Sequence, residues 1–179
     1  TVISSELNSK FMDVNYPIME HYYTIQGEGY HTGVPAYFIR IAGCDVHCWW
    51  CDVKDSWDGE QHPLIPVKYL CEQVEKSGAE KVVITGGEPL LHDLQPLSAE
   101  LKKLAVDVHV ETSGSSPISG ILDWVTLSPK RFKKPLPEVY EYVDELKVVV
   151  LTNKDIEWAE SEAQQCPNTT RLYLQPEWD

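Results

Sequence analysis

Residues 35–57 read PAYFIRIAGCDVHCWWCDVKDSW and join a strand pattern to three closely spaced cysteines. The first seven residues alternate in a way that predicts a β-strand with two different faces. One face would carry Tyr37, Ile39 and Ile41, and the other Ala36, Phe38 and Arg40. The cysteines at positions 44, 48 and 51 follow directly, where this strand is predicted to end.

Strand and helix patterns alternate through the rest of the chain. Buried strands are predicted at 81–85, 107–111, 124–127, 146–151 and 172–174. Apolar residues at helical spacing predict three helices between them, the first from Pro66 with Gly78 as its stop signal. The three stripes are Val67, Leu70, Cys71 and Val74; Leu94, Leu97, Leu101 and Leu104; and Ile156, Ala159 and Ala163. This order predicts an α/β fold with a parallel sheet about six strands wide.

The residues that follow each predicted strand carry the unusual chemistry. In chain order these exits read AGCDVHCWWC, TGGEP, ETSG, SPK, LTN and QPE. Parallel sheets and barrels build their sites at the carboxyl ends of their strands. The sequence therefore predicts a single site at that edge of the sheet.

Length and charge limit the fold and the partners. A chain of 179 residues is short for a full eight-stranded α/β barrel, and we expect a flexible N-terminal arm at 1–15 and a single domain at 16–179. The formal charge of -13 disfavours nucleic acid and anionic membranes as partners. No run approaches the roughly 20 apolar residues of a membrane span, and the N-terminus has no signal-peptide pattern. We expect a cytoplasmic protein that binds a small molecule or another protein.

The cysteine content indicates a metal centre. Five cysteines, three of them clustered, favour metal binding over disulfides in a reducing compartment. The spacing C-x3-C-x2-C suits zinc or an iron–sulfur cluster, and His47 could complete a Cys3His zinc site. Against zinc, His47 directly precedes Cys48 and would have to fold back onto the same ion. Spacing alone leaves both metals open.

The surrounding sequence resembles the radical S-adenosylmethionine (SAM) superfamily. The pattern C-x3-C-x-aromatic-C, with Trp50 as the aromatic residue, is similar to the signature of that superfamily, and TGGEP is similar to its GGE motif. The resemblance implies a partial (β/α)6-type barrel, abbreviated relative to a full eight-stranded barrel. It also implies a [4Fe-4S] cluster on Cys44, Cys48 and Cys51, with the fourth iron open to SAM. Taken alone, GGEP would also suit a simple turn into a helix.

A second set of motifs is more specific. The block QGEG at 26–29, the Arg before AGC, and the later ETSG, SPK and LQPE resemble the 7-carboxy-7-deazaguanine synthase family of queuosine and 7-deazapurine biosynthesis, a pathway of tRNA modification. The similarity extends from about residue 22 to 178. It implies a carbon–nitrogen lyase that converts 6-carboxy-5,6,7,8-tetrahydropterin to 7-carboxy-7-deazaguanine with loss of ammonia. Hydrogen would be taken from C6 of the pterin, and SAM would be regenerated.

The same resemblance implies the residues of the site. The SAM-binding set would be Trp50, Gly86, Gly87, Glu88, Ser113, Ser128, Lys130 and Gln175. The substrate-binding set would be Gln26, Gly27, Glu28, Arg40 and Thr85. Arg40 on an apolar strand needs a partner, which a pterin carboxylate or an internal Arg–Glu ion pair could supply.

Two departures from the family pattern concern Mg²⁺ and the end of the chain. Magnesium-dependent members have a hydroxyl residue two places after the third cysteine, where this chain has Val53, and an isopropyl group cannot bind a hard cation. Ser56 or Asp55 could substitute as a ligand. Family members continue past the QPE strand with a helix and a segment that closes the substrate pocket, whereas this sequence ends at Asp179.

Two other functions fit parts of the sequence. A glycyl-radical-enzyme activase of the same superfamily would share the cysteines and the GGE motif but would not require QGEG or Arg40. A non-enzymatic zinc protein would use the cysteines and His47 for folding. The family resemblance further implies a homodimer and an external electron donor such as a flavodoxin.

Overall fold

The computed structural model of the protein describes residues 10–177, which form one eight-stranded sheet with helices against it. The strands lie in the order β3-β1-β2-β4-β5-β6-β7-β8. Their bounds are Asn15–Ile25 (β1), Pro35–Ile41 (β2), Leu64–Pro66 (β3), Lys81–Gly86 (β4), Asp107–Thr112 (β5), Trp124–Leu127 (β6), Glu145–Val150 (β7) and Arg171–Pro176 (β8). The α-helices are Val67–Ser77 (α1), Gln95–Lys103 (α2) and Asn153–Ala163 (α3).

The parallel part of the sheet is the one that the sequence predicts. Strands β2 and β4 to β8 run parallel, six in all, and each predicted strand lies within two residues of its observed bounds. α1 ends as expected at Gly78, which adopts φ +67 at the C-cap. α3 begins with a capping box between Thr152 and Asp155.

The sequence patterns do not predict the antiparallel edge formed by β1 and β3. β1 pairs antiparallel with both β2 and β3, and its register with β2 shifts between Ile18 and Glu20. Its second half is largely exposed, and it contains Pro17, so no apolar alternation marks it in the sequence. β1 begins at Asn15, the last residue of the predicted arm, of which residues 1–9 lie outside the described part of the chain.

The two faces of the sheet pack differently. The main core cluster contains Tyr37, Ile39 and Ile41 of β2 together with apolar residues of α1 and α2, so this is the helix-covered face. Ala36 and Phe38 belong to a separate small cluster, which confirms the predicted alternation of β2. Two crossovers lack an α-helix: a loop joins β5 to β6, and a 3-10 helix at Pro137–Tyr142 precedes β7. The barrel is therefore abbreviated, as predicted.

The inner face carries a polar row and is closed at one end by the β1–β2 connection. In the sheet register, Glu20 lies beside Arg40, and Arg40 lies beside Thr85. Further across the sheet, Glu111 lies beside Thr126, and Thr126 lies beside Glu145. The connection at 26–34 reaches across the amino ends of the strands, where Tyr30 N–H donates to Glu145 at 3.1 Å. These polar side chains and the β1–β2 connection border an open cavity on the inner face of the sheet.

Within residues 10–177, no helix has the length and apolar character needed to cross a membrane.

Candidate active site

One cavity of about 520 Å³ occupies the inner face and holds nearly the whole predicted site. Its volume lies within the range of roughly 300–1,000 Å³ typical of small-molecule sites. Its walls include all the predicted site residues except Ser56 and Glu88. They are Gln26, Gly27, Glu28, Arg40, Cys44, Cys48, Trp50, Cys51, Thr85, Gly86, Gly87, Ser113, Ser128, Lys130 and Gln175. The fold thus brings segments from six strand ends and the β1–β2 connection to a single space.

The cysteine loop is anchored by backbone hydrogen bonds to the 3-10 helix that follows it. Gly43 N–H donates to the Ser56 carbonyl at 2.7 Å, and Cys44 N–H donates to the Trp57 carbonyl at 3.0 Å. Cys51 N–H donates to the Cys48 carbonyl at 3.0 Å, which turns the loop between the two thiols. The three thiols are half-buried, free of disulfides, and all line the cavity.

The electrostatics of the thiols reflect their mutual proximity and a nearby lysine. Burial raises the pKa of the Cys48 thiol; Lys130 opposes this increase, and the neighbouring Cys51 and Cys44 add to it. Burial lowers the pKa of Lys130, whose Nζ donates to the carbonyl and hydroxyl of Ser128 at 2.6 and 2.8 Å. Iron binding needs thiolates, which the cation of Lys130 would favour.

The three cysteines fit an iron–sulfur cluster better than a zinc ion completed by His47. The exposed His47 ring lies against Trp57, with ring centroids 4.8 Å apart. Within the described part of the chain, no three His, Cys, Asp or Glu side chains converge as ligands of one ion. A cubane takes each thiolate on a different iron and does not need such convergence.

The GG turn after β4 is fixed by close packing against the cysteine loop. A Cβ on Gly86 would lie 1.9 Å from the Ile41 carbonyl oxygen, and one on Gly87 would lie 2.4 Å from that of Gly43. Gly87 N–H donates to the Ile41 carbonyl at 3.1 Å. Only glycines allow this approach, so the turn sets the position of the cysteine loop. Both glycines also line the cavity, where a ligand can reach their backbone.

Glu88, which the family resemblance implies as a direct SAM contact, lies behind the cavity wall. Its side chain is only 1% exposed and does not line the cavity. Its carboxylate accepts from Thr112 Oγ1 at 2.6 Å, Leu90 N–H at 3.1 Å, and Ser113 N–H and Oγ at 2.8 and 2.5 Å. Because Ser113 itself lines the cavity, this geometry supports a positioning role for Glu88, while its contact with SAM stays a prediction.

A charged network of Gln26, Glu28, Glu111 and Lys147 lines the part of the cavity that we call its floor. The sequence motifs predict only some of these residues. Glu111 accepts from Gln26 Nε2 at 3.0 Å and from Thr85 Oγ1 at 3.1 Å. Lys147 pairs with Glu28 at 2.5 Å and lies 3.9 Å from Glu111. Burial lowers the pKa of Lys147, but Glu111 and Glu28 raise it above its ordinary value. The sequence motifs do not single out Glu111 or Lys147, although Glu111 is the first residue of the ETSG motif.

Arg40 has an internal partner, as one of the two sequence interpretations expected. Its side chain is 17% exposed and donates from Nε to Glu20 Oε1 at 2.8 Å. Burial lowers the pKa of the guanidinium, and Glu20 and Tyr22 more than offset this. A guanidinium has five N–H donors, and Glu20 takes one in this ion pair. Arg40 therefore stays charged at the cavity wall.

The candidate magnesium ligands are not placed where they were expected. Ser56 is fully buried, and its hydroxyl donates to the Val53 carbonyl at 2.6 Å, so it does not face the cavity. Asp55 is likewise absent from the walls, whereas Val53 and Asp52 line the cavity. Helical winding of the 3-10 segment at Lys54–Trp57 turns the Ser56 hydroxyl back onto its own backbone.

Comparison with known proteins identifies the family. The model of the radical SAM superfamily matches residues 38–132. The chain is 48% identical to a 7-carboxy-7-deazaguanine synthase from Synechocystis over 171 residues, which cover 96% of this chain and 82% of that protein. It is 49% identical to one from Flavobacterium psychrophilum, covering 90% and 77%. The crystal structure of QueE from Escherichia coli superposes with a TM-score of 0.83 at 36% identity, covering 94% and 86% of the two chains. Neither the activase nor the structural zinc protein finds support in these similarities. The chain therefore belongs to the 7-carboxy-7-deazaguanine synthase family of the radical SAM superfamily.

Proposed function

We propose that this protein is a radical SAM lyase that converts 6-carboxy-5,6,7,8-tetrahydropterin to 7-carboxy-7-deazaguanine with loss of ammonia. The observation that carries the proposal is a single cavity that joins three free thiols at one end to a network of Gln26, Glu28, Glu111 and Lys147 at the other. A reaction that couples a metal centre to a polar heterocycle needs binding sites for both within one cavity, so that the reacting groups are held close together.

We assign the thiol end to the cofactors. Cys44, Cys48 and Cys51 would hold a [4Fe-4S] cluster, and Trp50, Gly86, Gly87, Ser113, Ser128, Lys130 and Gln175 would surround SAM. When bound, the cluster and SAM would supply one-electron chemistry that gives a carbon radical able to abstract hydrogen, while the protein residues would hold and orient both groups. The glycine backbone allows close approach, and Glu88 holds Ser113 in place.

We assign the floor to the substrate. Carboxylates accept hydrogen bonds, and each oxygen of Glu111 keeps a lone pair beyond its bond to Gln26 or Thr85. Glu28 and Glu111 would accept from the amino and ring N–H groups of the pterin, and Lys147 would donate to a ring acceptor. The remaining donors of Arg40 suit the pterin carboxylate. Gly27 and Thr85 complete the wall.

The proposal includes several finer elements. Residues 16–179 would act as one domain, in the cytoplasm, where a reducing environment keeps the five observed free cysteines as thiols. The active form would be a homodimer that takes its electron from an external donor such as a flavodoxin. Of the oxygen-bearing side chains at 52–56, only Asp52 lines the cavity, so a requirement for Mg²⁺ would depend on Asp52 and substrate oxygens.

Turnover by anaerobically reconstituted protein tests the proposal. We expect 7-carboxy-7-deazaguanine from carboxytetrahydropterin and SAM with dithionite as reductant, assayed with and without Mg²⁺. Cys48→Ala should abolish the product, whereas Cys166→Ala, which alters a free thiol outside the cavity, should retain it. Full turnover by Cys48→Ala would contradict the cluster assignment, and no product from the unaltered protein would contradict the function.

A further inference from the structure

A cationic segment lies beside the cysteine loop of this acidic protein. Residues 130–134, KRFKK, contain four of the chain's 15 Lys and Arg residues, although the net charge is -13. They begin three residues after Leu127, the last residue of β6, and form a tight turn with a bridge between Lys130 and Lys133. A cationic cluster on an otherwise acidic protein attracts an acidic partner to that part of the surface.

Exposed aromatic side chains connect this segment to the thiols. Phe132 is 54% exposed and makes an edge contact with Trp50, with ring centroids 5.7 Å apart. Trp50 makes a second edge contact, at 5.0 Å, with Trp49, which is 65% exposed. Both tryptophans lie between Cys48 and Cys51 in the sequence, and Trp50 lines the cavity. We define the docking patch as Trp49, Trp50, residues 131–134 and Lys154, whose backbone carbonyl accepts a hydrogen bond from Arg131.

Ion pairs hold the patch in place without neutralising it. Lys133 pairs with Asp45 of the cysteine loop. Arg131 pairs with Asp155 of α3 at 3.1 Å and lies over the Trp158 ring at 5.1 Å. The two carboxylates pair with Arg131 and Lys133, whereas the side chains of Lys134 and Lys154 remain exposed. Lys130 faces the cavity, where burial lowers its pKa, and it adds no exposed charge to the patch.

We propose that the docking patch binds an acidic electron-donor protein that carries a flavin near its surface. This inference rests on the proposed function, because only a redox centre at the three cysteines needs an external electron. One electron would pass from the reduced flavin, which becomes oxidised by one electron, to the iron–sulfur centre, which is reduced by one. No atom is transferred.

Charge complementarity selects this class of partner. An acidic donor is repelled by most of the surface of a chain with net charge -13 and attracted to the patch, which orients it toward the thiols. The exposed Trp49, Phe132 and Arg131 are of residue types enriched at protein interfaces. The lysines around them would attract an acidic partner over a longer distance. Because Trp50 lines the cavity, a donor bound to the patch would lie close to the cavity wall.

Charge reversal at exposed lysines outside the cavity tests the patch. Lys134→Glu with Lys154→Glu should weaken binding of oxidised flavodoxin by about tenfold or more at low ionic strength, measured by calorimetry on the reconstituted protein. The matched control is Lys68→Glu with Lys76→Glu, which makes the same charge change at exposed positions on α1. It should change the affinity less than about twofold, and salt should reduce the difference between the two variants.

A comparison of reductants separates this proposal from the proposed function. With flavodoxin as donor, the patch variant should show a KM for flavodoxin raised by about tenfold, while dithionite-driven turnover stays unchanged. Equal effects of the two double variants on flavodoxin binding would overturn the docking patch. An equal loss with dithionite would also overturn it, because the substitutions would then act on the site itself. Absence of product from the unaltered protein with dithionite would instead refute the proposed function.

Discussion

Replacing the buried carboxylate of Glu88 tests whether that residue is structural. In Glu88→Gln, the side chain keeps its shape but offers one acceptor oxygen and one NH₂ group. Either orientation places the NH₂ group against a fixed backbone donor, Leu90 N–H on one side or Ser113 N–H on the other. The hydroxyl donors of Thr112 and Ser113 can rotate away, but these backbone groups cannot.

The expected cost follows from the number of fixed donors. An unsatisfied buried donor costs about 1–3 kcal/mol, so one lost backbone partner and one donor–donor contact predict about 2–3 kcal/mol for Glu88→Gln. Glu88→Ala removes both backbone partners and leaves a small void, which predicts about 3–5 kcal/mol. These are losses in the free energy of unfolding.

Urea unfolding of the protein without cluster or SAM measures these losses directly. Glu75→Gln is the matched control, because its side chain is exposed on α1, and it should change the stability by less than about 0.5 kcal/mol. If Glu88→Gln proved as stable as this control while SAM affinity fell, the reasoning from four protein donors would be wrong. Glu88 would then act as a direct ligand of SAM.

Two further predictions concern the GG turn and a buried histidine. Gly87→Ala should lower stability by about 2–4 kcal/mol and reduce iron incorporation, because its Cβ would lie 2.4 Å from the Gly43 carbonyl oxygen; thermal unfolding and iron content check this. Burial, then Lys81, lowers the pKa of His109 to about 3 from an ordinary value of 6.5, so the unfolded chain binds a proton that the folded chain excludes. The free energy of unfolding should therefore keep its full value above pH 6.5 and fall by roughly 1 kcal/mol per pH unit below it. Urea unfolding between pH 7.5 and 5 measures this.

Each of these predictions has an internal comparison. Gly27→Ala should be tolerated, since no atom lies within 4 Å of the position that the added Cβ would occupy. Equal effects at positions 27 and 87 would contradict the packing argument. For the histidine, His109→Gln should flatten the slope of stability between pH 6.5 and 5, and an unchanged slope would show that another group titrates there.

The cysteine site could be predicted from the sequence because its signals are local. The spacing of Cys44, Cys48 and Cys51 fixes a compact ligand set, and strand–helix alternation requires a parallel sheet with its strand exits at one edge. The TGGEP motif likewise predicts the GG turn from local sequence. The structure adds a physical reason for its glycines, which is close packing against Gly43.

The ion-pair partners of Arg40 and Lys147 depend on the tertiary structure and could not be predicted from local sequence patterns. Arg40 meets Glu20 through the register of β1, a strand that has no apolar alternation to reveal it. Lys147 reaches Glu28, 119 residues away in the chain, because the curved sheet brings β7 beneath the β1–β2 connection. Ion pairs between distant elements depend on strand register and sheet curvature, and both are set by the packing of the whole core. Local sequence patterns therefore specify which residues can react, whereas the complete fold decides which of them meet.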